Sequence, residues 1–193
     1  MPSIITHAAV PLALWCTADR GRVPAWLLAA GVVAAMLPDA DVLGFALHIP
    51  YADAFGHRGA SHSLLFAGVM AALAAVLAFF GSVRPWAAVS CQPRLAATSQ
   101  AAVFIFICAA SHPLLDAMTS GGLGVALAWP WSEQRFFSPW RPIRVSPFAP
   151  QFFSARGIAT LLSELRWVWL PLAAAVVAWK LIQSAPAVPR DPS

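Results

Sequence analysis

Charge is what this sequence has least of. Twelve Lys and Arg and eight Asp and Glu make up 10% of its 193 residues, against 60% hydrophobic residues and a mean hydropathy of +0.71. A soluble domain is about half apolar and a quarter charged, so the composition excludes a surface that faces water on all sides and predicts one that faces lipid. Tyrosine occurs once, while tryptophan occurs nine times, a balance that suits anchoring at a membrane interface. The net charge of +4 is spread over arginines between apolar runs. No basic stripe forms, and no nucleic acid is expected as a partner.

Cysteine is rarer still, with three residues. Cys16 and Cys108 lie inside apolar runs and Cys91 in a short connection, with no C-x-x-C pair. The expectation is buried, inert thiols rather than a disulfide or metal framework. The apolar start lacks a positively charged leader and a small-residue cleavage site, and "LALWC" has Trp15 where a lipoprotein signal needs a small residue. A cleaved signal peptide is not expected.

Long uncharged runs fill the rest. Residues 63–83 and 95–115 each hold 21 residues without a formal charge, enough at about 1.5 Å per residue to span a hydrocarbon layer of about 30 Å. Residues 167–179 give a third span, continued by Lys180, whose stem can snorkel to the headgroups. Two shorter runs, 4–18 and 24–37, precede them. "LPDAD" is expected to stop the second, because Pro38 disfavours helix at Leu37. "DRGRVP" and "RPWAAVSCQPR" connect the runs. Residues 119–166, rich in Pro, Phe and Trp, are expected as a long connection lying on the membrane. The fold class that follows is all-α: a polytopic bundle of four to five membrane helices. It forms one membrane-embedded domain over residues 1–185, with a short polar tail at 186–193.

The polar residues are segregated on this layout. His7 stands near the start of the first helix, Asp39 and Asp41 follow the second, His57 and His62 precede the third, and His112 and Asp116 end the fourth. With alternating directions, all of these ends share one face, whereas the opposite connections hold no histidine and only Asp19 as an acid. Imidazole and carboxylate together suit zinc or a related divalent metal. His112 and Asp116 are four apart, on one face of a helix, with Pro113 between them freeing a carbonyl. In "HRGASHS", Gly59 allows a sharp turn and Ser61 is the expected cap of the third helix, so His57 and His62 can face one point. Arg58 is placed beside the metal, where a guanidinium can take an anionic oxygen. Ionisable groups in membrane segments are costly and mark function. His48 and Asp53 read as loop residues, and Glu133 and Glu164 as ordinary loop charges, Glu133 being a distant candidate for acid–base work.

"THAAVPLAL", "LPDAD", "HRGASHSLLF" and "SHPLLDAMTSGG…WPW" resemble, in order and spacing, a family of bacterial inner-membrane metal-dependent hydrolases (YdjM-like), described as LexA-regulated or LexA-binding. The similarity covers roughly residues 1–140, with "HRG-x-[ST]-HS" its most specific element. The family is distantly similar to zinc-dependent phospholipase C and to single-strand nucleases, helical enzymes whose His/Asp clusters hold up to three zinc ions. The resemblance implies ligand roles for His7, Asp39, Asp41, His57, His62, His112 and Asp116.

The expected function is a metal-dependent hydrolase of the bacterial inner membrane that cleaves a phosphoester, with the lipid bilayer as partner and a lipid phosphate as substrate. Metal-bound water is the nucleophile. Asp39 or Asp41 orients it or takes its proton, and Arg58 stabilises charge on the phosphorus. The alternative is a non-enzymatic membrane protein with a structural or transported ion. A peptidase is disfavoured because no H-E-x-x-H motif is present.

Overall fold

Backbone N–H and C=O groups in a bilayer must be satisfied within their own segment, and the apolar runs fold accordingly as helices. The structure is a computed structural model that describes residues 1–19, 22–80, 94–147 and 151–184. Helix α1 (Ala9–Thr17) is led in by a 3-10 turn, Ile4–Ala8, that carries His7. Helix α2 (Ala25–Met36) ends just before Leu37, as expected, but the helical path goes on in another form. Leu37 keeps helical angles (φ −60°, ψ −36°), and the chain passes through a 3-10 stretch, Leu37–Val42, into the short helix α3 (Leu43–Ala46). Pro38 falls in the first turn of that stretch, where its missing N–H costs little. Here the tighter winding turns Asp39 into the bundle, where it is buried.

Helix α4 (Leu64–Phe80) is capped by Ser63 rather than Ser61, since the Ser63 hydroxyl accepts the Phe66 N–H at 3.1 Å. Its 17 described residues are fewer than the span expected over 63–83; residues 81–83, Cys91 and most of "RPWAAVSCQPR" lie outside the described residues, as does the tail 186–193. Helix α5 (Arg94–Ala117) carries Pro113 without interruption. Helix α6 (Ala155–Glu164), a π-helical turn (Leu165–Trp169) and helix α7 (Leu170–Ser184) form one continuous run. The connection expected over 119–166 is therefore shorter. Ser154 ends it by accepting the Arg156 N–H, after which apolar residues recur at helical spacing. Among the described residues there is no strand beyond the isolated bridges Thr119–Ile143 and Val125–Phe136.

Three runs are long and apolar enough to cross a membrane: Ala25–Ala46, Leu95–Ala117 and Ala155–Ser184; Ile4–Thr17 and Leu64–Phe80 are shorter. Their directions alternate. At one end Lys180 Nζ donates to the Thr17 and Ala18 carbonyls, at 3.2 and 3.1 Å, capping α1 rather than snorkelling. Gln100 Nε2 donates to the Arg22 carbonyl at that same end, which places it at the bundle's edge. At the other end Ser3 and Thr6 meet Glu164.

Helices α2, α4 and α5 meet through Ala34, Ala35, Ala67, Ala101 and Ala109, with Leu27, Phe104 and Ile105 filling the seams. Small residues let backbones approach where lipid removes most of the hydrophobic drive. Gly31 is required at the α2–α5 crossing, because a Cβ there would lie 2.5 Å from Phe104 Cε1. Cys108 is buried in this core as expected, whereas Cys16 is exposed on α1.

Candidate metal centre

His7, on the turn that leads into α1, is fully buried, with neither ring nitrogen hydrogen-bonded. Its ring stacks on His112 from α5, centroids 3.7 Å apart and 17° from parallel. Its Nε2 lies 3.7 Å from Asp39 Oδ2 and 3.6 Å from Asp116 Oδ1. Asp39 Oδ1 stands 3.4 Å from His112 Nε2 and 3.8 Å from His62 Nε2, and Asp116 Oδ2 stands 3.4 Å from His62 Nε2. None of the four oxygens of Asp39 and Asp116 has a hydrogen bond. Buried polar groups are normally paired, and leaving a buried one unpaired costs about 1–3 kcal/mol, more if charged.

The tautomers sharpen the point. His112 Nδ1 lies 2.7 Å from the Ala35 carbonyl oxygen, which can only accept, so Nδ1 carries the proton. His62 Nδ1 lies 3.0 Å from Asp41 Oδ2 and 3.0 Å from the Ser61 hydroxyl, whose own proton goes to Asp41 at 2.7 Å. His62 Nδ1 is thus a donor too. Both rings then present Nε2 lone pairs to each other, 2.9 Å apart. A proton or a metal ion must sit between them. Burial alone would lower the His62 pKa, but the carboxylates of Asp116, Asp39 and Asp41 around the ring reverse this and lift it to about 10. The pocket favours positive charge.

Spacings of 3.4–3.8 Å are too long for hydrogen bonds. They are near the separation of about 3.3 Å between neighbouring ligands held 2.0–2.1 Å from a tetrahedral zinc. Asp39, His62, His112 and Asp116 offer atoms that all lie within 4.8 Å of one another, and His7 faces both carboxylates. The group can hold a metal ion.

Two of the expected ligands stand beside the cluster. Asp41 Oδ1 takes the His57 Nδ1–H at 2.5 Å, while Oδ2 takes the Arg58 N–H at 3.0 Å and the Ser61 hydroxyl. Asp41 therefore orients His62 from behind, the usual partner of a metal-binding imidazole. The His57 and His62 rings are 5.7 Å apart, edge to face.

Arg58 also differs from expectation. It is fully buried, with Nε 3.0 Å from Asp116 Oδ2, Nη1 donating to the Gly121 carbonyl at 2.8 Å and Nη2 to the Thr119 hydroxyl at 3.0 Å. Its guanidinium positions Asp116 instead of facing outward for a substrate. The backbone there is left-handed (φ +64°), a conformation an arginine adopts only when its surroundings impose it. Gly59 serves close approach: a Cβ would collide with the Ala54 carbonyl oxygen.

The sequence reading missed Glu164, buried on α6 and bonded to Ser3 and Thr6. Its signal was available: a lone acid in "TLLSELRWVW", an otherwise apolar stretch. Thr119 and Ser61 carried no such signal. His48, Asp53 and Glu133 are exposed loop residues outside the cluster.

An all-helical, polytopic bundle with a buried His/Asp cluster at one end defines a membrane protein with a candidate metal centre. The model of the YdjM inner membrane protein family matches residues 1–187, and the chain belongs to that family. It is 43% identical over 176 residues to the inner membrane protein YbcI of Escherichia coli (strain K12), covering 89% of this chain and 92% of that relative. No solved structure matches it.

Proposed function

We propose that this protein is a multi-pass metalloenzyme of the bacterial inner membrane that hydrolyses a phosphoester, with a lipid phosphate as its substrate. His7, Asp39, His62, His112 and Asp116 would hold a divalent ion, for which mixed imidazole and carboxylate ligands favour zinc. The observation that carries the reading is the pair of facing Nε2 lone pairs, 2.9 Å apart, among carboxylate oxygens that lack hydrogen bonds. Bound there, the ion supplies a water with a pKa lowered to about 7 and polarises a phosphoryl oxygen.

The remaining roles fall to the chain's own residues. Asp41 holds the His62 ring in the tautomer that presents Nε2. Arg58 fixes Asp116 and offsets part of the negative charge. The Asp41–His57 couple, at the edge of the cluster, accepts and relays the proton released by the nucleophile. With this bundle end at headgroup level, a lipid phosphate would reach it without leaving the bilayer.

The test is metal analysis of detergent-purified protein, followed by assays on lipid and soluble phosphoesters. His62→Ala and Asp116→Ala should lose both metal and hydrolysis. A variant that lacks metal yet keeps hydrolysis overturns the reading.

One observation favours a second reading. Every ligand is at most 3% exposed, as expected for an ion that clasps helices together or passes through them. Cobalt substitution separates the two. A spectrum that shifts with added phosphate indicates an open coordination position; one that stays fixed, in protein inert toward phosphoesters, indicates a clasp, and ion flux in liposomes indicates transport.

A further inference from the structure

A feature of opposite charge lies at the same end of the bundle. An open cavity of about 500 Å³ is walled by Arg141, Arg144, Arg156, Ser120, Ser146 and Thr160. All three arginines are exposed, and among the described residues none has an ion-pair partner. The acid on the same helix as Arg156, Glu164, is buried and taken by Ser3 and Thr6. Arg141 leans over the Phe137 ring at 4.7 Å, and the Arg144 backbone is pinned by its N–H to the Ser163 hydroxyl at 2.9 Å. Three like charges around one cavity repel each other unless an anion lies between them. Guanidinium forks fit the oxygens of phosphate in pairs.

The depth of the cavity in the membrane narrows the ligand further. Two residues beyond Arg156, an exposed apolar stripe begins: Ile158, Leu161, Leu162 and Leu165, the spacing of one helix face. Gly157, Thr160 and Glu164 form the buried face. The helical run has 30 residues, about 45 Å long, so it overreaches a hydrocarbon layer of about 30 Å. The excess of about 15 Å, about ten residues, leaves room for the stretch that begins at Arg156 to lie among the headgroups. Trp140 packs edge to face on Trp167 at 5.0 Å, and Arg166 covers Trp167 at 4.9 Å, the aromatic and basic pairing of an interface.

We propose that this cavity is a binding site for a phosphate-bearing anion, presented either by an anionic lipid headgroup or as a free phosphate ester. It is separate from the His/Asp cluster and does not rest on the hydrolase reading. The two are nonetheless neighbours. Thr119 takes a hydrogen bond from Arg58, which holds Asp116, and the next residue, Ser120, lines the cavity and takes the Val145 N–H at 3.3 Å. A phosphate bound by the arginines sits one residue along the chain from the support of the metal centre.

The experiment compares wild type with R141Q/R144Q/R156Q and R141K/R144K/R156K, each reconstituted in phosphatidylcholine nanodiscs doped with phosphatidylglycerol. Retained lipid is read by native mass spectrometry. A parallel arm measures thermal protection by inorganic phosphate and glycerol 3-phosphate. Wild type should retain phosphatidylglycerol over phosphatidylcholine, the Gln variant should lose about tenfold of that preference, and the Lys variant should keep most of it, all at unchanged metal content. Arginine-dependent protection by the soluble phosphates without lipid preference assigns the site to a free ester. If neither ligand depends on the arginines, their charge serves only membrane orientation and the proposal is overturned. Should the triple Gln variant not purify as a single species, Arg144→Gln and Arg156→Gln are read the same way, each expected to lose roughly threefold.

Discussion

The Glu164 carboxylate accepts both the backbone N–H of Ser3, at 2.5 Å, and its hydroxyl, at 2.6 Å, across 161 positions of sequence. Thr6 donates to the same carboxylate at 2.7 Å and accepts the Trp169 indole N–H at 3.1 Å. The last helix thus grips the turn that carries His7. Glu164→Ala leaves these buried donors unpaired, so a stability loss on the order of 2–3 kcal/mol is expected, seen as a Tm lower by about 4–10 °C. Glu164→Gln keeps an accepting oxygen and should fall between the two in a thermal melt.

Metal content separates ligands from supports. His62→Ala and His112→Ala each remove an Nε2 from the centre of the cluster, and bound metal measured by inductively coupled plasma mass spectrometry should drop to background. Asp41→Asn keeps every ligand but weakens the hold on His62 Nδ1. A fall in metal affinity of about 10- to 100-fold is expected, typical of a lost partner behind a ligand.

Arg58→Ala should be more damaging than an arginine at a surface would be. It strips Asp116 of its nearby cation and leaves a buried carboxylate with one less neutralising neighbour, at a cost of about 3–5 kcal/mol. Added zinc should recover part of that loss, because a bound cation replaces the missing charge. Melts with and without zinc measure the recovery.

The His62 proton sets a pH dependence. Its folded pKa of about 10 lies above the ordinary 6.5, so in metal-free protein this group's stabilisation is complete below pH 6.5 and is lost as pH rises through 10. A metal ion needs the same lone pair, so binding at pH 7.5 should release one proton. Calorimetry in buffers of different ionisation enthalpy counts it. Metal affinity should accordingly rise with pH across this window.

The convergence of ligands was legible because it needed only helix lengths and alternating direction. Helix tips at one face gather whatever polar groups they carry, and His7, Asp39, His62, His112 and Asp116 do meet. Which of the polar residues stand inside the cluster and which beside it was not legible. Asp41 and His57 differ from Asp39 and His62 only by where a 3-10 turn and a left-handed residue aim them, and neighbours in sequence say little about that. Arg58 looked like a substrate contact because its partners, Thr119 and Gly121, come from a loop with no regular pattern. The α-helix stops before Pro38 as read, but its continuation was not legible, because a proline tolerated in the first turn of a 3-10 stretch lets the path wind on. The helix at Ala155 was hidden by the proline-rich stretch before it.

His7, Asp39, His62 and Asp116 enter the bundle on four successive passes of the chain, and Glu164 locks the first of them from a fifth. During insertion into the bilayer, a nascent polypeptide shorter than 116 residues has no complete seat for a cation. Such a group could therefore hold an ion only once the fourth pass is in place, one pass before the chain is complete.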